Sequence, residues 1–371
     1  MVTTDVVIVG GGIIGCSLAY ALRKRGIGVG ICDQGDRGAQ ASGAASGLLA
    51  PLKPFAQPED PYTLLLLSSL ARMASFITEV ETISGICTGY VQTGSVRVRP
   101  AKQTPRLQKW VETWQQAGFP LLEVLREDEL QTQEPALATK NQIALYNPYE
   151  PQLDAPQFMR AVARTAETLG AVFYLNDAVV ALHTSGKRVN GVQTSQGNTI
   201  RCNHLVLASG AWAAQGGEWL GLTLPVRPLR AQSLTLHQPA LPLQHMLFGE
   251  GIYLAPKENG TLLIGVARDE VGFNVETTAA GKAWLYETAI RLVPSLASRS
   301  ITDAWAGLLP ATPDARPILG TTARWHNVTL ACGYNGYGLL LSACTGDLLT
   351  ETILSGRSSK ILHPFLLERF A

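Results

Sequence analysis

The chain has no C-x-x-C pair, and its six cysteines (Cys16, Cys32, Cys87, Cys202, Cys332 and Cys344) are scattered through 371 residues. That pattern excludes a disulfide framework and a zinc ribbon, and it fits reduced thiols in the cytoplasm. Charge is scarce as well, at 16% of residues with a formal net charge of +1. There is no electrostatic case for nucleic acid or an anionic membrane surface. The six histidines show no paired ligand spacing, so no metal site is expected. No G-x-S-x-G is present, which removes the serine-hydrolase reading. No apolar run reaches membrane-spanning length. The nearest candidate, 62–80, is interrupted by Ser68, Ser69, Arg72 and Ser75 and reads as a buried helix. The glycine-rich start argues against a secretory leader. Apolar residues are plentiful at 46%, which implies a large core in two domains or one large one.

What stands out is the run Asp5-Val6-Val7-Ile8-Val9-Gly10-Gly11-Gly12-Ile13-Ile14-Gly15. A strand leads into a G-x-G-x-x-G loop. A helix over 16–25 follows, stopped at Gly26, then a short strand Val29-Gly30-Ile31-Cys32 ending in Asp33. Strand, loop, helix, strand and acid in that order form a βαβ unit of dinucleotide-binding type. Gly10 allows the tight turn, Gly12 lets backbone approach a pyrophosphate, and Gly15 lets helix and strand pack closely. The helix N-terminus supplies N–H groups and a positive dipole end. Asp33 is placed to accept ribose hydroxyls, and an acid there disfavours a 2′-phosphate.

Residues 37–50 are small and nearly uncharged, which suits a buried segment that faces a ligand. Helices are expected over 61–83, near 102–117 and 126–132, and over 154–169 with Asp154 as N-cap and Gly170 as stop. Strands are expected at 89–99 and 172–175, a hairpin-like meander at 189–194 and 198–202, and an apolar strand over 204–212. Alternating strands within 222–267 suggest an antiparallel sheet. The strand 328–333, a glycine-rich turn and a helix over 339–354 would return a second helix N-terminus to the cofactor. The nucleotide part thus resumes after insertions. Residues 1–85, 146–215 and 305–371 are assigned to it, and 86–145 and 216–304 to a substrate domain. The implied class is α/β, a three-layer Rossmann-like domain with an inserted antiparallel sheet.

Together with Ala41-Ser42-Gly43-Ala44-Ala45-Ser46-Gly47-Leu48-Leu49, Leu207-Ala208-Ser209-Gly210-Ala211-Trp212, the Tyr253 strand, Trp305-Ala306-Gly307-Leu308-Leu309-Pro310, Pro317-Ile318-Leu319-Gly320 and Gly333-Tyr334-Asn335-Gly336-Tyr337-Gly338-Leu339-Leu340, the chain resembles the D-amino-acid-oxidase-like family of FAD-dependent oxidoreductases over essentially its full length. Within that family it looks most like the glycine oxidases of thiamine biosynthesis. The resemblance implies non-covalent FAD. Gly10, Gly12, Ile14 and Gly15 would lie at the pyrophosphate, and Asp33, Gln34 and Val179 at the adenosine. Ala41, Ser42, Ser46, Gly47 and Leu48 would line the path to the isoalloxazine. Ser209 and Gly210 join this cofactor set, and Asn335, Gly336, Tyr337, Gly338 and Leu339 would close over the flavin end. Tyr253 matches the tyrosine facing substrate.

The resemblance also shows where this chain departs from the family. The family's W-A-G-x-R-P arginine, which pairs with a substrate carboxylate, is replaced by Leu309. A second arginine in the glycine-rich turn is replaced by Gly336, beside Tyr337. Arg268 stands where glycine oxidase has methionine. It either supplies the missing guanidinium or is a sheet-end arginine paired with Asp269 or Glu270. Arg227 and Arg230 favour domain-interface pairing over a place at the flavin entrance. The expected activity is oxidation of a small amine or amino acid, with O2 or another acceptor. An amine lacking a carboxylate, a non-catalytic flavoprotein subunit and an NAD-dependent dehydrogenase are the alternatives. Substrate, acceptor and any homo-oligomeric state are open from sequence.

Overall fold

The computed structural model describes residues 2–52, 55–237 and 243–371. Two eight-stranded sheets organise them. The strand Val2–Val9 pairs in parallel with Val29–Cys32 on one side and Thr199–Leu207 on the other. Val172–Tyr174 extends the sheet beyond Val29–Cys32, and Trp325–Cys332 lies parallel to Thr199–Leu207. The unbroken apolar run Val6–Val9 follows from burial on both faces. Val6 and Ile8 pack under the helices Ile13–Lys24, Pro61–Ser84, Ala155–Thr168 and Gly338–Ser355, while Val7 and Val9 pack against the hairpin residues Val189 and Val192 and against Ala213.

Local sequence sets the helix ends. Asp60 Oδ2 accepts from Thr63 N at 2.9 Å, and Asp154 Oδ1 from Gln157 N at 2.9 Å, satisfying first-turn donors. Pro61–Ser84 is long and apolar enough to span a membrane by length and composition. Its Leu65, Met73, Phe76 and Val80 are buried in the helical layer of the first sheet.

The second sheet runs Ile301–Ala311, Arg227–His237, Thr261–Asp269, Ile252–Pro256, Met246–Gly249, Ser95–Pro100, Gln142–Asn147, Glu123–Leu125. The helix Ala279–Leu292 packs on it through Leu285, Ala289 and Leu292.

Several expectations need correction. The first helix begins at Ile13, three residues earlier than read, because Gly12 already serves as its N-cap. The strand expected from 89 begins only at Ser95; Gly89 and Gly94 take φ of 62° and 70°, which breaks an extended run, and Val91 keeps a single bridge to Gln152. The meander arm at 198–202 and the apolar strand at 204–212 are one strand, Thr199–Leu207, followed by a 3-10 turn over Gly210–Trp212. Residues 305–311 hydrogen-bond into the second sheet, as do 146–147, although both were grouped with the nucleotide part. Of the expected sheet over 222–267, residues 238–242 lie outside the described residues.

Candidate active site

The glycine loop is built by close backbone contacts. Gly10 has φ +115°, and a Cβ there would strike the Ala208 carbonyl carbon at 2.7 Å. A Cβ on Gly15 would land on the Gly10 carbonyl. Gly15 therefore serves close packing of the helix against the loop and strand. Gly12 has an ordinary φ of −76°; it is needed for space, since its Cβ would sit 3.2 Å from Ser42 Oγ. Ser42 Oγ accepts the first helical amide, Ile13 N, at 3.0 Å, bringing the small-residue segment onto the helix N-terminus.

Asp33 stands at the strand end as expected. Its Oδ2 accepts from Gly11 N at 2.6 Å and its Oδ1 from Gly35 N at 2.8 Å. Burial raises its pKa above the usual carboxylate value, against the pull of these two N–H groups. Each oxygen keeps a further lone pair for a ligand hydroxyl.

Three adjoining cavities run from this loop between the sheets. The first, about 170 Å³, is walled by Gly10, Gly12, Asp33, Gln34, Val179 and Ser209, with Gly210 beside them. The second, about 100 Å³, carries Ile14, Asn335, Gly336, Gly338 and Leu339, and shares Gly12, Ala41, Ser42 and Gly210 with the first. The third, about 470 Å³, collects Ser46, Gly47, Leu48, Tyr253, Arg268, Leu309 and Tyr337, and shares Ala41, Asn335, Gly336 and Leu339 with the second. An elongated dinucleotide with a flat ring at one end fits this track. The Ser209 hydroxyl, buried on the first cavity with no hydrogen-bond partner among the described residues, leaves a polar atom for such a ligand.

The run of small residues has a direct cause. A Cβ on Gly307 would lie 2.6 Å from Ala44 Cβ, and one on Gly47, at φ +79°, would fall on the Leu153 carbonyl. The segment is pressed between the sheets, and Trp305 Nε1 holds it by donating to Ala44 O at 2.9 Å. On the opposite wall, Asn335 ties the glycine-rich turn to the strand Ile301–Ala311. Its backbone N–H donates to Pro310 O at 3.1 Å, and its side-chain Oδ1 accepts from Thr312 N at 3.2 Å.

Tyr253, Arg268 and Leu309 lie on separate strands of the second sheet. Tyr253 is opposite Gly265, Arg268 opposite Ala231, and Leu309 opposite Leu229. The Tyr253 hydroxyl is hydrogen-bonded to Ser46 Oγ. Burial raises the phenol pKa, against the pull of the hydrogen bonds from Ser46 and Ser233 and the nearby Arg268 charge, so the phenol stays neutral. Asp269 Oδ2 takes Arg230 Nη2 at 3.1 Å and Gln232 Nε2 at 2.8 Å, and Glu270 takes Arg227 at 2.8 Å. Both candidate partners of Arg268 are thus occupied, and Arg268 has no ion pair among the described residues. Arg227 and Arg230 pair within one sheet, not across a domain interface.

The sequence reading passed over Ser233, Phe248 and Lys257. Ser233 and Phe248 share the third cavity's wall, and Lys257 binds Ser46 from behind. A serine and a phenylalanine in alternating strands and a lysine just past a strand end look like ordinary sheet and turn residues. Only the −2 and +2 pattern around Arg230–Gln232–Leu234 could have marked Ser233 as lying on the other face.

A family model described as FAD dependent oxidoreductase matches residues 5–352. The chain is 32% identical to a glycine oxidase of Geobacillus kaustophilus, covering 98% of this chain and 97% of that protein. It is 34% identical to a bifunctional protein ThiO/ThiG of Trichormus variabilis, covering 99% of this chain but only 55% of that longer protein. It is 29% identical to the hydrogen cyanide synthase subunit HcnC of Pseudomonas protegens, over 99% and 96% of the two chains. The crystal structure of the Geobacillus kaustophilus glycine oxidase superposes with a TM-score of 0.93 at 31% identity, covering 99% of each chain. With the glycine loop, the track between the sheets and a match over nearly its whole length, the chain belongs to the family of FAD-dependent oxidoreductases that contains glycine oxidase.

Proposed function

We propose that this enzyme oxidises the CH–NH bond of a small amino acid or amine, and that Arg268 binds the acid group of the substrate. The observation that carries this reading is the Arg268 guanidinium, without an ion pair among the described residues, on the cavity that also holds Tyr253 and Leu309. When bound, FAD would supply a hydride acceptor at N5 and a route for the electrons to O2, with release of H2O2, or to another acceptor. The track residues Gly10, Gly12, Ile14, Asp33, Gln34, Ala41, Ser42, Val179, Ser209 and Gly210 would hold its adenosine and pyrophosphate end. Ser46, Gly47, Leu48, Asn335, Gly336, Tyr337, Gly338 and Leu339 would surround the ring.

Among the described residues of the third cavity there is no carboxylate and no histidine, whereas there is a guanidinium. Such a field disfavours an ammonium and favours the neutral amine, the form that can lose hydride. No side-chain base is then required. Tyr253 offers a neutral phenol that orients the substrate from above. The imine product hydrolyses in water. All six cysteines are free thiols, which supports the cytoplasmic setting inferred from sequence.

A second reading rests on Leu309, Leu229 and Gly336, which make the lining of the third cavity beside Arg268 apolar. They suit a primary, secondary or N-methyl amine without a carboxylate. Anaerobic bleaching of the purified yellow protein with glycine, sarcosine, D-alanine, D-proline and simple amines tests both. Bleaching by acids supports the first reading and by uncharged amines the second. No bleaching by any of them would favour a non-catalytic flavoprotein subunit.

A further inference from the structure

The segment that carries Ser46 ends a short backbone pairing. Leu49 N donates to Pro151 O at 3.0 Å and Leu153 N to Gly47 O at 2.9 Å. The left-handed Gly47 then turns the chain, and the carbonyls of Ser46 and Leu153 are left over. Lys257 Nζ takes both, at 2.9 Å and 3.1 Å. Lys257 follows directly on the strand Ile252–Pro256, and its own backbone is set by a hairpin, Lys257 N donating to Thr261 O at 2.8 Å. The same strand carries Tyr253, whose hydroxyl bonds Ser46 Oγ. One strand therefore grips Ser46 twice, by its side chain from the third cavity and by its carbonyl from the far side.

We infer that Lys257 is a positioning residue, which fixes Ser46 and through it the Tyr253 hydroxyl at the flavin end of the site. The inference rests on the proposal that the Ser46–Leu48 segment lines the ring of FAD. The lysine has no ion pair among the described residues. Its ammonium is satisfied by two carbonyls inside the fold, a charge-assisted arrangement that a neutral side chain of similar length cannot reproduce. Lys257 also lines a separate cavity of about 580 Å³, where Asp154, Glu258, Asp303 and the Cys87 thiol are the titratable groups. Asp154 is already committed to Gln157 N as a helix cap. Burial lowers the Lys257 pKa to about 8, with Asp154 opposing the shift. The grip thus loses its charge on the alkaline side of neutrality.

The test uses Lys257→Met and Lys257→Arg holoproteins, with Leu48→Trp as a control on the same segment. The readouts are the visible bands of bound FAD and its dissociation constant, with the thermal midpoint of each apoprotein alongside. Lys257→Met is expected to shift the bands and weaken FAD by about tenfold, and Lys257→Arg to restore both. A merely structural lysine would instead lower the apoprotein midpoint and leave the bands of bound FAD in place, which overturns the inference. If Leu48→Trp alters the spectrum and Lys257→Met does not, the role of Lys257 falls and the flavin placement stands. If neither alters it, the placement itself fails. Should Lys257→Met not fold, a pH titration of the bound-flavin spectrum decides. A step near pH 8 in the natural protein and none in Lys257→Arg supports the inference; the same step in both, or none in the natural protein, overturns it.

Discussion

The ring of Tyr253 lies across Gly265 on the adjacent strand. A Cβ on Gly265 would be 2.6 Å from the tyrosine Cζ and 2.8 Å from Ser233 Oγ. Absence of a side chain at 265 is what lets the phenol reach Ser46 and face the third cavity. Gly265→Ala must therefore displace Tyr253 or the strand beneath it. A cost of about 1–3 kcal/mol in stability is expected from overpacking. FAD content should be retained, because the track near the glycine loop is remote from this contact. A denaturation midpoint equal to the natural protein's would show that the ring moves aside freely.

Tyr253→Phe removes the hydroxyl and keeps the ring. The Ser46 hydroxyl then loses its partner, at a cost on the order of 1 kcal/mol. Flavin binding should be unchanged, while substrate dissociation constants rise or flavin reduction slows. Rapid-reaction traces identical to the natural protein for every active substrate would reduce Tyr253 to packing.

Gly12→Val tests the phosphate end. Gly12 already has dihedrals that valine can adopt, so the chain should fold. The branched side chain meets Ser42 and fills the space a pyrophosphate needs. A colourless protein is expected. Its thermal midpoint should fall below the holoprotein's, since ligand present at about 100 times its dissociation constant contributes about 2.7 kcal/mol. Stoichiometric flavin in this variant would contradict the assignment.

Arg268 and Leu309 decide the substrate class. If Arg268 binds a carboxylate, Arg268→Met should weaken an amino acid by about 1.5–3 kcal/mol, the range for a charge-assisted bond, with little effect on an uncharged amine. If the natural substrate is an amine, that variant should change little, and Leu309→Arg should introduce or improve glycine binding. Dissociation constants for glycine and a matched amine in both variants separate the cases. Natural-type binding of both ligands by both variants would mean that the pocket lies elsewhere.

His204 sets a pH dependence of stability. Its Nε2 bonds Thr329 Oγ1 at 2.9 Å, and burial lowers its pKa to about 4. The folded state holds the ring neutral while the unfolded chain takes up a proton below its ordinary pKa of about 6.5. Stability from this residue is thus complete above that value, declines as pH falls towards 4, and is level below it. The full loss is on the order of 3 kcal/mol. Urea midpoints of the natural protein and His204→Gln, compared at pH 7 and pH 4.5, should converge at the lower pH; a constant gap would refute the assignment.

The glycine loop, Asp33, the first helix and the helix capped at Asp154 are visible in the chain itself. Each depends on neighbours a few residues away: strand propensity, a glycine where φ must be positive, a carboxylate three residues before an unpaired amide. The flavin family was legible for the same reason, because its motifs are short local segments in a set order. What Arg268 does was not legible, since it turns on where Asp269 and Glu270 point. They pair with Arg230 and Arg227 across a strand register, and register is a property of the assembled sheet. The double grip on Ser46 by Tyr253 and Lys257 joins residues about 200 positions apart. Nothing local distinguishes that lysine from any other at a hairpin end. Its environment, two leftover carbonyls at the edge of a cavity, exists only once the segment has been packed between the two sheets.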